Sequence, residues 1–257
     1  MDKKFTFTVD DNIRFLQDLT LTKYESIFDN PYLAVYKKLH QKFNVKVKLY
    51  LFYKMEGFDL SIMTDRYKDE WQKNSNWLKL SFHSEYENEN PYINSGYEEV
   101  FSHCKAVQKE ILRFAGECVL GKTTTIHYCI TTEDGNRAIL DNGIRGVLGL
   151  FGTEEEPCIS YNLDEDKAKL ARLGKTVNHN GLMVAGIDIV LNDYSLESIK
   201  NQLKNLSDRP LVKVMIHEQY FYPYYWRYIP YFYDILATIL QELVNYGYAP
   251  VFFEETL

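Results

Sequence analysis

The chain has 257 residues, 46% hydrophobic and 25% charged, a globular composition that can bury a sizeable core. Its net charge of −7 argues against a nucleic-acid backbone or an anionic membrane as main partner. No apolar run approaches the roughly 20 residues of a membrane span, and the opening MDKKFTFTV is too polar for a signal peptide. A cytoplasmic protein is therefore expected. Cys104, Cys118, Cys129 and Cys158 form no CxxC pair and are read as buried free thiols, against disulfides or a zinc cluster.

In chain order, residues 5–9 (FTFTV) read as a strand that stops at two adjacent aspartates. Residues 31–43 predict a helix with Pro31 in its first turn, and 45–53 (VKVKLYLFY) a long strand. Residues 77–83 (WLKLSFH) predict a strand ending on a histidine. A helix over 98–114 follows, with Gly116 as its stop. The β-branched run 123–130 (TTTIHYCI) reads as strand, 138–142 as a short helix and 146–151 as a short strand. Residues 183–191 (MVAGIDIVL) read as one strand with a possible bulge at Gly186. A helix over 195–206 opens with Ser-x-x-Ser. Residues 211–217 (LVKVMIH) are again a strand ending on histidine. A helix over 229–246 stops at Gly247, and 249–253 is a last strand. Strand and helix alternate as in parallel β/α units, with no internal repeat and no Pro/Gly/Ser linker. The expectation is one α/β domain over 1–257, a barrel in preference to a wound sheet, because polar residues cluster at strand C-termini.

One motif match fails its context. Residues 116–123 (GECVLGKT) fit GxxxxGK[ST], but a phosphate cradle needs a strand before the loop and a helix after it. Here the order is reversed, and a helix-to-strand turn is expected. The glycines of 143–152 have the wrong spacing for a dinucleotide fingerprint.

Parallel barrel strands bring their C-terminal ends to one face, so Asp10, Asp11, His83 and His217 can converge. Two neighbouring carboxylates repel, and a divalent metal compensates them. Asp11 and His83 are candidate ligands, joined by Glu87 if HSEYE forms a helical turn with i and i+4 on one face. Three protein ligands leave a position for water. Asp10, held off the metal, is the candidate base, and His217 the candidate acid. Each residue also has a plainer reading. Asp-Asp-Asn suits a turn or helix cap, and a strand-end histidine is commonly a hydrogen-bonded structural residue.

This pattern resembles the polysaccharide-deacetylase family, the chitooligosaccharide-deacetylase type of carbohydrate esterase. The resemblance runs through TVDDN, HSEYE and the loosely matching VMIH at 214–217. It implies a distorted (β/α)7-type barrel and a divergent metal-dependent hydrolase that removes an acyl group from a sugar or cleaves a related C–N bond. It also implies Asp10 as base, Asp11 and His83 as ligands and His217 as acid. A glutamate, Glu87, stands where the second histidine belongs. That makes the ligand set harder, so manganese or iron joins zinc as a candidate. The arginine-proline motif that steadies the aspartate has no counterpart; residues 124–137 offer His127 and Arg137 instead, and His127 is taken as a substrate contact. The tryptophan-bearing fourth motif is not evident, though Asp188 lies in a comparable strand.

Residues 219–234 (QYFYPYYWRYIPYFYD) hold ten aromatics in sixteen positions, directly after His217. Tyr220, Tyr222 and Trp226 are candidates for a platform under a sugar ring; a packed rim or a subunit contact is the plainer reading. The expected partner is a carbohydrate or an acylated small molecule. The missing motifs favour an alternative, a non-catalytic barrel relative that binds carbohydrate or another protein. A glycoside hydrolase pairing Asp10 with Glu85, Glu87 or Glu218 has no supporting motif.

Overall fold

The computed structural model describes residues 2–87, 92–153 and 155–257. Strand β1 (Lys4–Asn12) sets the pattern: Phe5, Phe7 and Val9 alternate with Thr6, Thr8 and Asp10, so one face is apolar and the other polar. The apolar face meets helix α2 (Pro31–Phe43), where the Phe7 ring packs on Tyr36 at 6.2 Å. Parallel ladders join β1 to β2 (Val47–Met55) on one side and to β10 (Leu211–His217) on the other. Strand β4 (Leu78–Tyr86) pairs with β2, and β9 (Ile189–Val190) with β10. A short hairpin strand, β3 (Phe58–Asp59), and β11 (Ala249–Pro250) complete this sheet.

The second sheet holds β5 (Thr123–Thr124), β6 (Gly146–Gly149), β8 (Leu182–Gly186) and the antiparallel β7 (Val177–His179). Two seams close the sheets into a barrel. At one, Leu80 bridges Leu120, and the Gly121 amide donates to the Leu80 carbonyl at 2.8 Å. At the other, the chain crosses from β8 to β9. The Ile187 amide reaches Gly149 on β6 at 2.8 Å, and the Asp188 amide reaches Lys213 on β10 at 2.9 Å. Seven parallel positions thus follow chain order around the barrel: β1, β2, β4, β5, β6, the β8–β9 segment and β10. The single strand expected over 183–191 is two strands in two sheets, divided after Gly186.

Helices cover the outside. Asn30 caps α2 by accepting from the Leu33 amide at 3.0 Å, with Pro31 in the first turn. In α4 (Tyr97–Phe114), Val100, Cys104, Val107, Ile111 and Phe114 form the buried stripe that helical spacing predicts. Helix α7 (Ser198–Asn205) opens on the Ser-x-x-Ser pair, each hydroxyl accepting from the other's amide. Helix α8 (Phe232–Asn245) ends before Gly247, which takes φ +78. Helices α1 (Arg14–Thr22), α3 (Lys68–Lys73) and α6 (Glu165–Arg172) escape the sequence reading, while α5 (Glu133–Asp141) starts earlier than expected because Thr132 caps it. The GECVLGKT segment is a helix-to-strand turn, with Gly116 at φ +98. All four cysteines are free, but Cys118 and Cys158 are exposed rather than buried. Among the described residues no helix is long and apolar enough to cross a membrane.

A buried ion pair lies on the polar face of β2. Lys48 is 1% exposed and bonds Glu254 of the C-terminal turn and the Thr123 hydroxyl. Burial alone would raise the Glu254 carboxyl, but Lys48 beside it holds it below the usual carboxylate range. Its stabilising contribution is complete above the unfolded value of about 4.3 and is lost as pH falls through the lower folded value. Glu254→Gln is expected to lose about 3–5 kcal/mol at pH 7, because Lys48 is left buried without its partner. In urea unfolding, the gap to wild type should narrow as pH drops from about 5 to 3. A gap that stays constant over that range would contradict the ionic account.

Candidate metal centre

The site begins with an irregularity in β1. Val9 pairs with Leu49 and Asn12 with Leu51, so Asp10 and Asp11 together oppose Tyr50. This is a β-bulge, with Asp11 in the left-handed region at φ 62. In an even strand, neighbouring side chains point to opposite faces. The bulge re-aims Asp11 toward the strand ends, while Asp10 keeps register with His217 of β10. Left-handed backbone costs a non-glycine residue roughly 1–2 kcal/mol, and here it sits beside the polar cluster.

Asp11 Oδ1 lies 2.9 Å from His83 Nε2 and 3.2 Å from His127 Nδ1. The two imidazole nitrogens are 3.2 Å apart. His83 ends the inner face of β4. His127 lies in the turn after β5, because the expected strand over 123–130 stops at Thr124. Beyond Thr124 that segment has no ladder partner among the described residues and folds into a short 3-10 turn. Tyr128 and Cys129 there take φ values of 62 and 60.

The outer nitrogens fix both tautomers. His83 Nδ1 faces the Thr125 carbonyl, and His127 Nε2 faces the Glu87 carbonyl at 3.1 Å. A carbonyl only accepts, so each of these nitrogens carries the proton and the inner nitrogens present lone pairs. Three lone-pair atoms thus converge, all within 4.8 Å of one another, and they repel unless positive charge sits among them. A tetrahedral ion with bonds of about 2.0–2.1 Å spaces its ligands roughly 3.4 Å apart, close to the separations seen here. The donor set fits a divalent cation. Gln219 Nε2 donates to Asp11 Oδ2 at 2.6 Å, which leaves Oδ1 for the centre.

The electrostatics agree with ligand chemistry. Burial would raise the Asp11 carboxyl, but the imidazoles of His127 and His83 beside it hold it well below the usual range. Burial pushes the His83 imidazole down, toward the neutral form that binds metal. Asp10 is raised by burial and by the charge of Asp11, and its Oδ1 is buried without a hydrogen-bond partner. His217 Nδ1 faces Asn192 Oδ1 at 2.7 Å, leaving Nε2 as the free nitrogen of the ring.

Of the residues singled out in the sequence, Asp11 and His83 meet, with His127 as the third member of the group. Glu87 lies elsewhere. HSEYE stays in strand through Tyr86, and four residues of strand carry the chain about 13 Å, so i and i+4 do not meet as on a helix. The Glu87 carboxylate pairs with Arg14, while its backbone carbonyl orients His127. His127 was visible as a strand-associated histidine, but its approach depends on the β5 turn. Asn192 and Gln219 gave no sequence signal.

Glu218 is a structural residue: fully buried, it accepts from the amides of Ile13, Arg14 and Phe15 and from the Tyr222 hydroxyl. Glu85 pairs with Lys54 at 3.0 Å and His103 at 3.3 Å. In the aromatic segment Tyr220 is buried beside His217, with ring centroids 5.9 Å apart, and Tyr222 packs on Tyr32. Trp226 is 82% exposed and Tyr224 72%.

The chain is a parallel β/α barrel in which an aspartate and two histidines gather at one end of the strands as a group that could hold a metal ion. No protein-family model matches the sequence, and no curated protein matches it significantly. Solved structures do. A family 4 acetyl xylan esterase from Clostridium thermocellum, in complex with a cobalt ion, superposes with TM-score 0.55 at 14% identity, over 98% of this chain and 89% of that one. A candidate polysaccharide deacetylase from Mycobacterium smegmatis gives 0.59 at 9% identity, over 100% and 90%. A 4-alpha-glucanotransferase from Thermococcus litoralis gives 0.61 at 13% identity over 99% of this chain, which spans only 40% of that enzyme. The chain has the polysaccharide-deacetylase fold, a (β/α)7 barrel.

The ligand assignment predicts that purified protein takes up one equivalent of zinc. His127→Ala and Asp11→Ala should each abolish stoichiometric uptake measured by elemental analysis. Glu87→Ala keeps the backbone carbonyl and should weaken binding by no more than about 10–100-fold, as for an outer-shell partner. Loss in Glu87→Ala with retention in His127→Ala would contradict the assignment.

Proposed function

We propose that this protein is a divergent metal-dependent hydrolase of the polysaccharide-deacetylase type, removing an acyl group from a sugar or cleaving a related C–N bond. The observation that carries the reading is the convergence of Asp11, His83 and His127, with Asp10 and His217 on the neighbouring strand ends. The barrel it shares with the acetyl xylan esterase supports the same reading. Zinc suits the Asp/His/His donors, and manganese or iron is accommodated by the carboxylate. A bound divalent ion supplies Lewis-acid polarisation of the acyl carbonyl and acidifies a water.

The protein's own residues handle the protons. Asp10, unpaired at Oδ1, accepts a proton from the water that adds to the acyl carbon. His217 gives a proton as the imidazolium: with Nδ1 held on Asn192, the Nε2 proton passes to the leaving nitrogen or oxygen as the bond to the acyl carbon breaks, leaving the ring neutral. The products are a carboxylic acid and the freed amine or alcohol. Of the three aromatic candidates, Trp226 is the one open to a sugar face, since Tyr220 is buried and Tyr222 packs on Tyr32.

The second reading is a non-catalytic carbohydrate-binding relative. It is favoured by one feature: among the described residues no arginine pairs with Asp10. Pairing Asp10 with Glu218 as a glycosidase is disfavoured, since the Glu218 carboxylate is committed to the α1 amides.

Asp10→Asn is expected to lower acetate release from acetylated oligosaccharides by about 10²–10⁴-fold with zinc content unchanged, and His217→Ala by about 10² or more. Full activity in Asp10→Asn would remove it as the base. Saccharide binding without acetate release by zinc-loaded wild type would establish the second reading.

A further inference from the structure

We infer that Tyr128 is a substrate-contacting ring at the mouth of the metal centre, which sets its preference for a pyranose ring over small acyl compounds. The inference rests on the hydrolase reading above and adds a residue with no part in the proton chemistry. Tyr128 holds φ 62 and ψ 3, and Cys129 beside it holds φ 60. Two successive left-handed residues that are not glycine persist only where the surroundings impose them.

Core packing gives no reason for this conformation at Tyr128. The side chain is 56% exposed, and its hydroxyl bonds to no described residue. Its ring packs against His127 with centroids 4.3 Å apart and the planes tilted by 50°, so it lies beside a candidate ligand. The same rim is reached from another part of the chain. Tyr224, 72% exposed, lies close to Arg14 and Glu87, and the Glu87 carbonyl is the group that holds His127. Two exposed tyrosines from distant segments thus stand next to groups around the centre, Tyr128 against His127 and Tyr224 beside Arg14, the partner of Glu87. Aromatic rings with few polar groups suit the flat C–H face of a sugar, whereas a small acyl ester offers no surface for them to cover.

A competing explanation is that the left-handed turn serves only to aim His127. The two explanations separate in Tyr128→Gly, because glycine adopts this backbone without strain. The test uses the zinc-loaded full chain carrying Asp10→Asn, so that bound saccharide is not turned over. The probe is the β-1,4-linked tetramer of N-acetylglucosamine, titrated by calorimetry. Adding Tyr128→Gly should weaken binding at least tenfold, leave zinc content unchanged and raise Tm by about 2 °C or more as strain is relieved. Adding Tyr128→Phe should keep binding within twofold. Binding within twofold of the parent in Tyr128→Gly, or loss of zinc there, would overturn the inference while leaving the hydrolase reading intact. No binding by the parent itself would overturn the saccharide reading of the site and this inference with it.

Discussion

The bulge that places Asp10 and Asp11 against a single residue of β2 is the constraint on which the site depends. An even β1 would send one aspartate into the barrel and the other outward among Phe5, Phe7 and Val9. The extra residue and the left-handed Asp11 let one strand end supply two carboxylates with different surroundings. Asp11 gains His83, His127 and Gln219, and its charge is held. Asp10 remains buried beside it with one oxygen unpaired, and its carboxyl is raised. The division of labour follows from backbone geometry before any metal is considered.

The same economy extends around the site. Backbone carbonyls of Thr125 and Glu87 set the tautomers of both histidines, so no further side chain is needed to aim them. Glu218, next to His217, clamps the first amides of α1 and so ties the end of β10 to the turn that follows the bulge. Deep burial gives that carboxylate a structural task, although it lies close to the chemistry. Glu87 contributes through its main chain while its side chain neutralises Arg14.

Much of the fold was legible in the sequence because the strongest elements obey local rules. Alternation in β1, the capped α2 and the apolar stripe of α4 each carry their own signal. The split of 183–191 did not, since β8 and β9 are separated by which sheet they join rather than by composition. The site was half legible. Asp11, His83, Asp10 and His217 stood out as polar residues closing apolar strands. Glu87 fits the third ligand position only on a helical turn, whereas the chain there is extended. His127 falls in a β-branched run whose local preference is strand. Its inward turn is imposed by the end of the β5 ladder, a tertiary effect that no window of sequence reports.

The central claim is that two imidazoles and one carboxylate, and no thiolate, converge on a cation. Zinc-edge X-ray absorption on the zinc-loaded full chain tests it most directly. Nitrogen and oxygen scatterers are expected at about 2.0–2.1 Å, with the outer-shell signature of two imidazoles. A sulfur scatterer near 2.3 Å, or the signature of fewer than two imidazoles, would contradict it.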